Sequence, residues 1–229
     1  MSKLASTLLL FTGLVTAAQA TPSEYPPAGR ESIEWCDLWI AHANETNLPR
    51  VLLIGDSITR AYYPAVEKNL AGKAYVGRLA TSAFVSDPIL LKEIAMVLDA
   101  YPFDVIHFNN GMHGWGHSET EYRQAFPKFL AVIKAHAPHA RLIWANTTTL
   151  KESPKLPPAN QTEASDERIA ARNAIALEFI RPAGIEVDDL YSLTRGHPDY
   201  HSDNVHFNKQ AIALQAKQVA AQIEKLLPR

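Results

Sequence analysis

Short apolar runs alternate with longer amphipathic segments along the chain. Continuous runs rich in valine, isoleucine and leucine are typical of strands that are covered on both faces. They predict about five strands, at Val51–Ile54, Ala74–Leu79, Val105–Phe108, Leu142–Ala145 and Ile185–Val187.

Segments of helical length follow four of these runs. In the last segment Ile212, Val219 and Ile223 recur at the spacing that places them on one face of a helix. The predicted helices are Asp87–Ala100, Glu119–His136, Ser165–Arg181 and Asn208–Leu227. Strands that alternate with helices form parallel sheets. The pattern therefore predicts an α/β protein, a three-layer αβα sandwich in which ligands bind beyond the carboxyl ends of the strands.

The N-terminal residues have a pattern of their own. Lys3 precedes the apolar stretch Leu4–Ala17, and Ala18-Gln19-Ala20 fits a small-x-small cleavage motif. This predicts a signal peptide over residues 1–20 and an exported protein, periplasmic or secreted, with a frayed helix as the alternative. A membrane anchor is not predicted, because the stretch is shorter than the about 20 apolar residues that a span needs.

Residues 21–229 are predicted to form one domain. Its beginning, about residues 30–47, has Trp35, Leu38, Trp39 and His42 at an amphipathic spacing, which predicts a helical lead-in. Cys36 lies in this segment and is the only cysteine, so an intramolecular disulfide is excluded. We expect a buried, inert thiol there rather than a nucleophile.

Composition narrows the classes of partner. The formal net charge is −2 and the sequence pI is about 6.5. Neither value favours binding to nucleic acid or to an anionic membrane. Neither class of partner is therefore expected.

A serine follows the first predicted strand, and an Asp-x-x-His sequence precedes the last predicted helix. Gly55 and Asp56 lead into Ser57 at the predicted start of a helix. There a serine can cap the helix or act as a nucleophile whose oxyanion is held by amides at the helix N-terminus. Asp203 and His206 can meet each other on one turn and present a free imidazole nitrogen to Ser57, which is the arrangement of a Ser-His-Asp triad.

These two blocks resemble the first and last signature blocks of the SGNH (GDSL-like) hydrolases. The blocks are Gly55-Asp56-Ser57-Ile58-Thr59 and Asp203-x-x-His206. The resemblance implies a flavodoxin-like sandwich and a serine esterase that needs no metal or other cofactor. It also implies Ser57, Asp203 and His206 as catalytic residues.

The middle blocks of that family depart from the common pattern here. After the second strand the family usually has a glycine, whereas this chain reads Ala80-Thr81-Ser82-Ala83. After the third strand, Asn109-Asn110-Gly111-Met112-His113 is similar to an Asn-x-Gly-x-His variant. The resemblance implies an oxyanion hole made by the Ser57 N–H, a backbone N–H near Ser82 or Thr81, and the side chain of Asn109. Asn110 is the alternative donor, although Asn-Gly also forms turns.

Further side chains near these blocks are candidates for substrate binding. Trp115, between two glycines, is either a stacking platform for a sugar ring or a loop aromatic folded onto the core. Arg60 follows the serine turn and can meet an anionic group or a carboxylate of the protein. His113 and His117 are four residues apart, but no third ligand accompanies them, so no metal site is predicted.

The predicted function is hydrolysis of short-acyl esters, chiefly O-acetyl groups on carbohydrate. Export and Trp115 favour a carbohydrate, as does the resemblance to polysaccharide-modifying relatives. The expected partner is therefore a small-molecule or polysaccharide ester substrate. Three alternatives stay open: an esterase for lipids or thioesters, an acyltransferase, and a non-catalytic carbohydrate-binding protein on the same fold.

Overall fold

The computed structural model describes residues 30–151 and 164–228. In these residues the strands are β1 Cys36–Ile40, β2 Arg50–Gly55, β3 Tyr75–Thr81, β4 Val105–Phe108, β5 Arg141–Ala145 and β6 Glu186–Asp188. They form one sheet in the order β1-β3-β2-β4-β5-β6. Strands β2 to β6 pair in parallel, and β1 pairs antiparallel with β3. The predicted signal peptide lies outside the described residues.

Helices cover both faces of the sheet. They are α1 Ser57–Asn69, α2 Pro88–Ala100, α3 Glu119–His136, α4 Asp166–Ile180, α5 Leu190–Thr194 and α6 Lys209–Leu226. Side chains alternate across a strand, so Val51 and Leu53 pack with α1 and α6. Leu52 and Ile54 pack with α2, α3 and α4 on the opposite face. The predicted αβα sandwich is confirmed, and one antiparallel strand is added to its five parallel strands.

The predicted helical lead-in is replaced by a strand at the edge of the sheet. Residues 36–40 form β1, in which Asp37 pairs with Arg78 of β3 at 3.0 Å. Leu38 and Trp39, which suggested one buried face of a helix, are both exposed. Their spacing therefore did not mark an apolar stripe.

Cys36 on this edge strand is exposed rather than buried. Although the residue is exposed, partial desolvation of its sulfur and the negative charge of Glu93 raise the pKa of the thiol to about 12. The thiolate, which is the nucleophilic form, is therefore disfavoured near neutral pH.

The strand order places a crevice at the end of β2. The chain passes from β2 to β3 on one side and then returns to β4 on the other side. In open α/β sheets such a reversal leaves a crevice beyond the carboxyl ends of the strands, where ligands bind. Within the described residues no helix is both long and apolar enough to cross a membrane.

Candidate active site

Ser57 is the first residue of α1, directly beyond β2. The side chain of Asp56 accepts a hydrogen bond from the Ile58 N–H at 2.8 Å and so caps the helix. The capping role that the sequence left open for Ser57 is therefore filled by its neighbour. A Cβ on Gly55 would collide with the side chain of Thr59, so the close approach of strand and helix here requires glycine. Because Asp56 caps the helix, the Ser57 hydroxyl is available for other contacts.

The structure brings Ser57, His206 and Asp203 together in one hydrogen-bonded chain. Ser57 Oγ lies 2.9 Å from His206 Nε2, and His206 Nδ1 lies 2.9 Å from Asp203 Oδ2. An ionised carboxylate only accepts hydrogen bonds, so Nδ1 carries the proton and Nε2 accepts from the serine hydroxyl. The geometry is that of a nucleophile, a general base and the group that orients the base.

Backbone hydrogen bonds keep the Asp203 carboxylate ionised. Its Oδ1 accepts from the N–H groups of His206 at 2.6 Å and Val205 at 2.7 Å. The bond from the His206 N–H is the largest cause that lowers the pKa of Asp203, to about 2. Asp203 therefore stays available as an acceptor for the imidazole at any pH near neutrality.

Asp203 and His206 lie on a short hairpin before α6. His201 and Phe207 form an isolated antiparallel bridge at its base, with their rings 4.4 Å apart. The Ser202 N–H donates to the His206 carbonyl at 2.8 Å, which closes the turn. The Lys151 N–H donates to the Asn204 carbonyl at 2.9 Å and fixes the hairpin to the segment after β5.

Ser82 is held by the segment that leads into β1. Its N–H donates to the Trp35 carbonyl at 3.1 Å, and its hydroxyl contacts Glu34 at 2.6 Å. This differs from the prediction of an oxyanion donor at Ser82. The segment before β1 runs beside the end of β3, and its Trp35 carbonyl accepts the hydrogen bond from the Ser82 N–H. The alternative, Thr81, lies within β3 itself.

The two asparagines after β4 are buried and differ in their contacts. Asn109 Nδ2 donates to the Ala145 carbonyl at 2.7 Å and to Thr147 Oγ1 at 2.9 Å, which uses both of its hydrogens. Asn110 Nδ2 donates to the Ala83 carbonyl at 2.9 Å, so it reaches across to the loop after β3. Among the described residues its second amide hydrogen has no acceptor.

An open cavity of about 370 Å³ lies over the serine. Ser57, Val205 and His206 line it on the side of the hydrogen-bonded chain. Met112, His113, Trp115 and Gly116 line it from the loop after β4. Arg30 and Glu31 complete the lining from the segment before β1.

Two arginines of α4 hold the Gly111–His117 loop. Fully buried Arg172 donates to the carbonyls of Gly111, His113 and Gly114 at 3.0, 2.7 and 2.9 Å. Arg168 donates to the Trp115 carbonyl at 3.1 Å. Gly114 has a φ of 74°, and a Cβ there would collide with the ring of Phe84. The loop is thus fixed at several points.

The predicted substrate-binding residues occupy different positions. Trp115 is half-buried and lines the cavity, while the guanidinium of Arg172 lies 4.5 Å from the centre of its ring. It is therefore both a packed loop aromatic and part of the cavity wall. Arg60 is exposed and stacks on Trp35 at 4.8 Å, outside the residues that line the cavity.

His113 and His117 each contact a carboxylate. His113 Nδ1 lies 3.0 Å from Glu31, and His117 Nδ1 lies 3.4 Å from Glu121. No group of three potential metal-ligating side chains was found in residues 30–151 and 164–228.

Sequence reasoning missed Arg30, Glu31 and Arg172. Arg172 had a recognisable signal, because it lies between Ile169 and Ala176 on the apolar face of α4, where an arginine needs buried acceptors. Nothing in the local sequence marked Arg30 or Glu31.

Comparison with known proteins agrees with this geometry. A family model described as GDSL-like lipase/acylhydrolase matches residues 53–213, from within β2 to the start of α6. The chain belongs to this family. The resemblance to SGNH hydrolases in the first and last blocks is thereby confirmed, and the GDSL-like protein is an ester hydrolase. None of the curated proteins compared with it matches significantly.

Solved structures support the fold of this GDSL-like hydrolase. A carbohydrate esterase of family 3 from Talaromyces cellulolyticus is 16% identical, with a TM-score of 0.60 over 78% of this chain and 98% of that chain. A carbohydrate acetylesterase family member from Sinorhizobium meliloti is 16% identical, with a TM-score of 0.61 over 78% and 99%. A lipase/acylhydrolase from Enterococcus faecalis is 18% identical, with a TM-score of 0.61 over 79% and 98%.

Proposed function

We propose that this protein is a serine esterase that removes short acyl groups, chiefly O-acetyl groups, from carbohydrate. The observation that carries the proposal is the hydrogen-bonded chain of Ser57, His206 and Asp203 at the wall of an open cavity. The reaction consists of two acyl transfers, first to the serine and then to water.

In the first transfer His206 Nε2 takes the proton of Ser57 while Oγ attacks the acyl carbonyl. The tetrahedral intermediate collapses when the imidazolium gives that proton to the leaving alcohol, which leaves an acyl-serine. Water then attacks the acyl group while His206 takes its proton, and the second tetrahedral intermediate collapses when His206 gives that proton to the leaving Ser57 Oγ, which releases the acid and restores the serine. Asp203 stabilises the imidazolium in both steps without taking a proton, consistent with its pKa of about 2.

The negative charge that forms on the carbonyl oxygen needs donors that have no other acceptor. The Ser57 N–H at the start of α1 is one such donor, since the capping bond of Asp56 goes to Ile58. The second is the free amide hydrogen of Asn110, which we propose in place of Asn109, whose two amide hydrogens are used within the protein.

The composition of the cavity wall supports a carbohydrate substrate. Trp115 contributes an aromatic ring, and Arg30, Glu31 and His113 contribute polar groups. Two of the similar structures are a carbohydrate esterase and a carbohydrate acetylesterase family member. We further propose that the protein is exported after removal of residues 1–20, because Lys3, the apolar stretch Leu4–Ala17 and Ala18-Gln19-Ala20 fit a cleaved signal peptide.

The test is the hydrolysis of p-nitrophenyl acetate by the variant Ser57→Ala. We expect kcat to fall by at least about 10³-fold, since the nucleophile is lost. Exposed Ser86 provides the matched control, and Ser86→Ala is expected to behave as the unmodified protein. A fluorophosphonate probe should label the unmodified protein and Ser86→Ala but not Ser57→Ala. Full turnover by Ser57→Ala would refute the mechanism, and an unmodified protein that neither turns over nor is labelled would favour a binding-only role.

A further inference from the structure

The segment before β1 supplies a carboxylate to the cavity that contains Ser57. Glu31 lines this cavity together with Ser57 and His206. Its neighbour Arg30 donates two hydrogen bonds to Asp87, at 2.6 and 2.9 Å. Asp87 is also the N-cap of α2, so the start of the segment is fastened to the body of the sandwich. Glu31 is therefore held at the cavity by contacts distant in sequence.

Three hydrogen-bond contacts orient the carboxylate of Glu31. His113 Nδ1 lies 3.0 Å from one of its oxygens and 3.1 Å from the other, and the Gly114 N–H donates to it at 3.1 Å. Burial raises the pKa of Glu31, but the hydrogen bond and charge of His113, with the Gly114 N–H, outweigh burial and lower it. The side chain is 33% exposed. An ionised carboxylate with an exposed part has capacity for a further donor.

Charged side chains that line this part of the cavity have partners within the protein. Arg30 is paired with Asp87, and His113 with Glu31. A charged substrate group therefore gains little net attraction from this wall. An acyl chain or aromatic group placed against Glu31 would remove water from a carboxylate without replacing its hydrogen bonds, which is unfavourable. A neutral hydroxyl can donate to it and replace the lost water.

We propose that Glu31, oriented by His113, is a specificity-determining residue that accepts a hydrogen bond from a hydroxyl in the alcohol part of the substrate. The substrate class is then an ester of an uncharged, polyhydroxylated alcohol such as a sugar unit. This inference rests on the proposed ester hydrolysis at Ser57, and it assigns a recognition role to a residue outside the signature blocks of the family.

The test uses two esters that differ only in hydroxyl donors. One is a mono-O-acetylated methyl xyloside that keeps its other hydroxyls, and the second is the same ester with those hydroxyls methylated. We expect the unmodified protein to prefer the hydroxylated ester by at least about tenfold in kcat/KM, the usual effect of a hydrogen bond to a charged acceptor. In Glu31→Ala this preference should shrink to about twofold or less, and in Glu31→Gln to an intermediate value. Glu224→Gln, which removes an exposed carboxylate paired with Lys73, should keep the full preference.

Several results would overturn this role of Glu31. They are the absence of a preference in the unmodified protein, an equal loss on both esters in the Glu31 variants, and turnover of p-nitrophenyl acetate without turnover of either xyloside. Each of these results leaves the role of Ser57 intact, provided that Ser57→Ala still abolishes hydrolysis of the aryl ester. If Glu31→Ala does not fold, Glu31→Gln together with the substrate pair decides the question.

Discussion

Asn109 and Asn110 are adjacent and have the same side chain, but their hydrogen bonds differ. Both follow β4, and both are 8% exposed. Asn109 ties the end of β4 to the end of β5 through Ala145 and Thr147. Asn110 connects to Ala83 and keeps one amide hydrogen free among the described contacts. These contacts are the reason for proposing Asn110, rather than Asn109, as the oxyanion donor.

We predict that Asn110→Ala lowers kcat for p-nitrophenyl acetate by about 10² to 10³-fold, the usual effect of one lost oxyanion donor. Asn109→Ala should instead lower the free energy of unfolding by about 2 kcal/mol, because it leaves buried acceptors unpaired. Steady-state kinetics and urea unfolding of both variants would check this. The reverse pattern, a larger loss of kcat in Asn109→Ala, would restore Asn109 as the donor.

The sequence was informative about residues whose geometry is local. Ser57 follows a strand and starts a helix, and Asp203 and His206 meet within one hairpin, so short-range rules placed each of them. The strand order then brought the two loops to one edge of the sheet. Glu31 was missed, and the contacts of Ser82 were not predicted, because the surroundings of both depend on the pairing of β1 with β3, which no local pattern specifies.

Among the secondary-structure elements, α4 supports the Gly111–His117 loop, which forms part of the cavity wall. Its first turns carry Arg168 and Arg172, which donate to carbonyls of the Gly111–His117 loop. The predicted bounds of α2, α3, α4 and α6 agree closely with the structure, because capping residues and apolar periodicity both mark them. The prediction of a helical lead-in was wrong, because a helical spacing of aromatic residues can occur by chance in a short edge strand.

We predict that Arg172→Leu loosens the Gly111–His117 loop. Three carbonyls, two of them in buried residues, lose a donor, so the free energy of unfolding should fall by about 3 kcal/mol. Hydrogen exchange should accelerate in this loop more than in the strands. Because the loop carries His113 and Trp115, KM for the acetylated xyloside should rise by about tenfold or more, while kcat falls less.

The matched control for the loop is Arg123→Leu. Arg123 lies on α3 and pairs with Glu178 at the surface, with about half of its side chain exposed. We expect a change of at most about 0.5 kcal/mol in that variant. An Arg172→Leu protein with unchanged exchange in the loop would show that backbone contacts alone maintain the wall of the cavity.

For the whole molecule, one buried polar cluster connects the sheet to the helix that follows the active-site hairpin. His107 Nε2 on β4 lies 2.9 Å from the carboxylate of Asp188 at the end of β6, and neither side chain is exposed. Gln218 on α6 donates to the same carboxylate at 2.7 Å. The cluster therefore joins two strands that are not neighbours with the helix that begins shortly after His206. His107 lies within the predicted strand Val105–Phe108, but no local pattern in the sequence indicates its partner.

We predict that Asp188→Ala destabilises the protein by about 3 to 5 kcal/mol, because buried His107 and half-buried Gln218 lose their acceptor. The double variant His107→Leu/Asp188→Leu replaces the pair by apolar side chains and should recover part of this loss, since the unpaired imidazole is removed. Urea unfolding would measure both free energies. None of the three cluster residues lines the cavity that contains Ser57, so kcat/KM of folded Asp188→Ala should stay near that of the unmodified protein. A double variant less stable than Asp188→Ala would mean that the cluster stabilises the sheet by a specific attraction and not by avoiding an unpaired buried group.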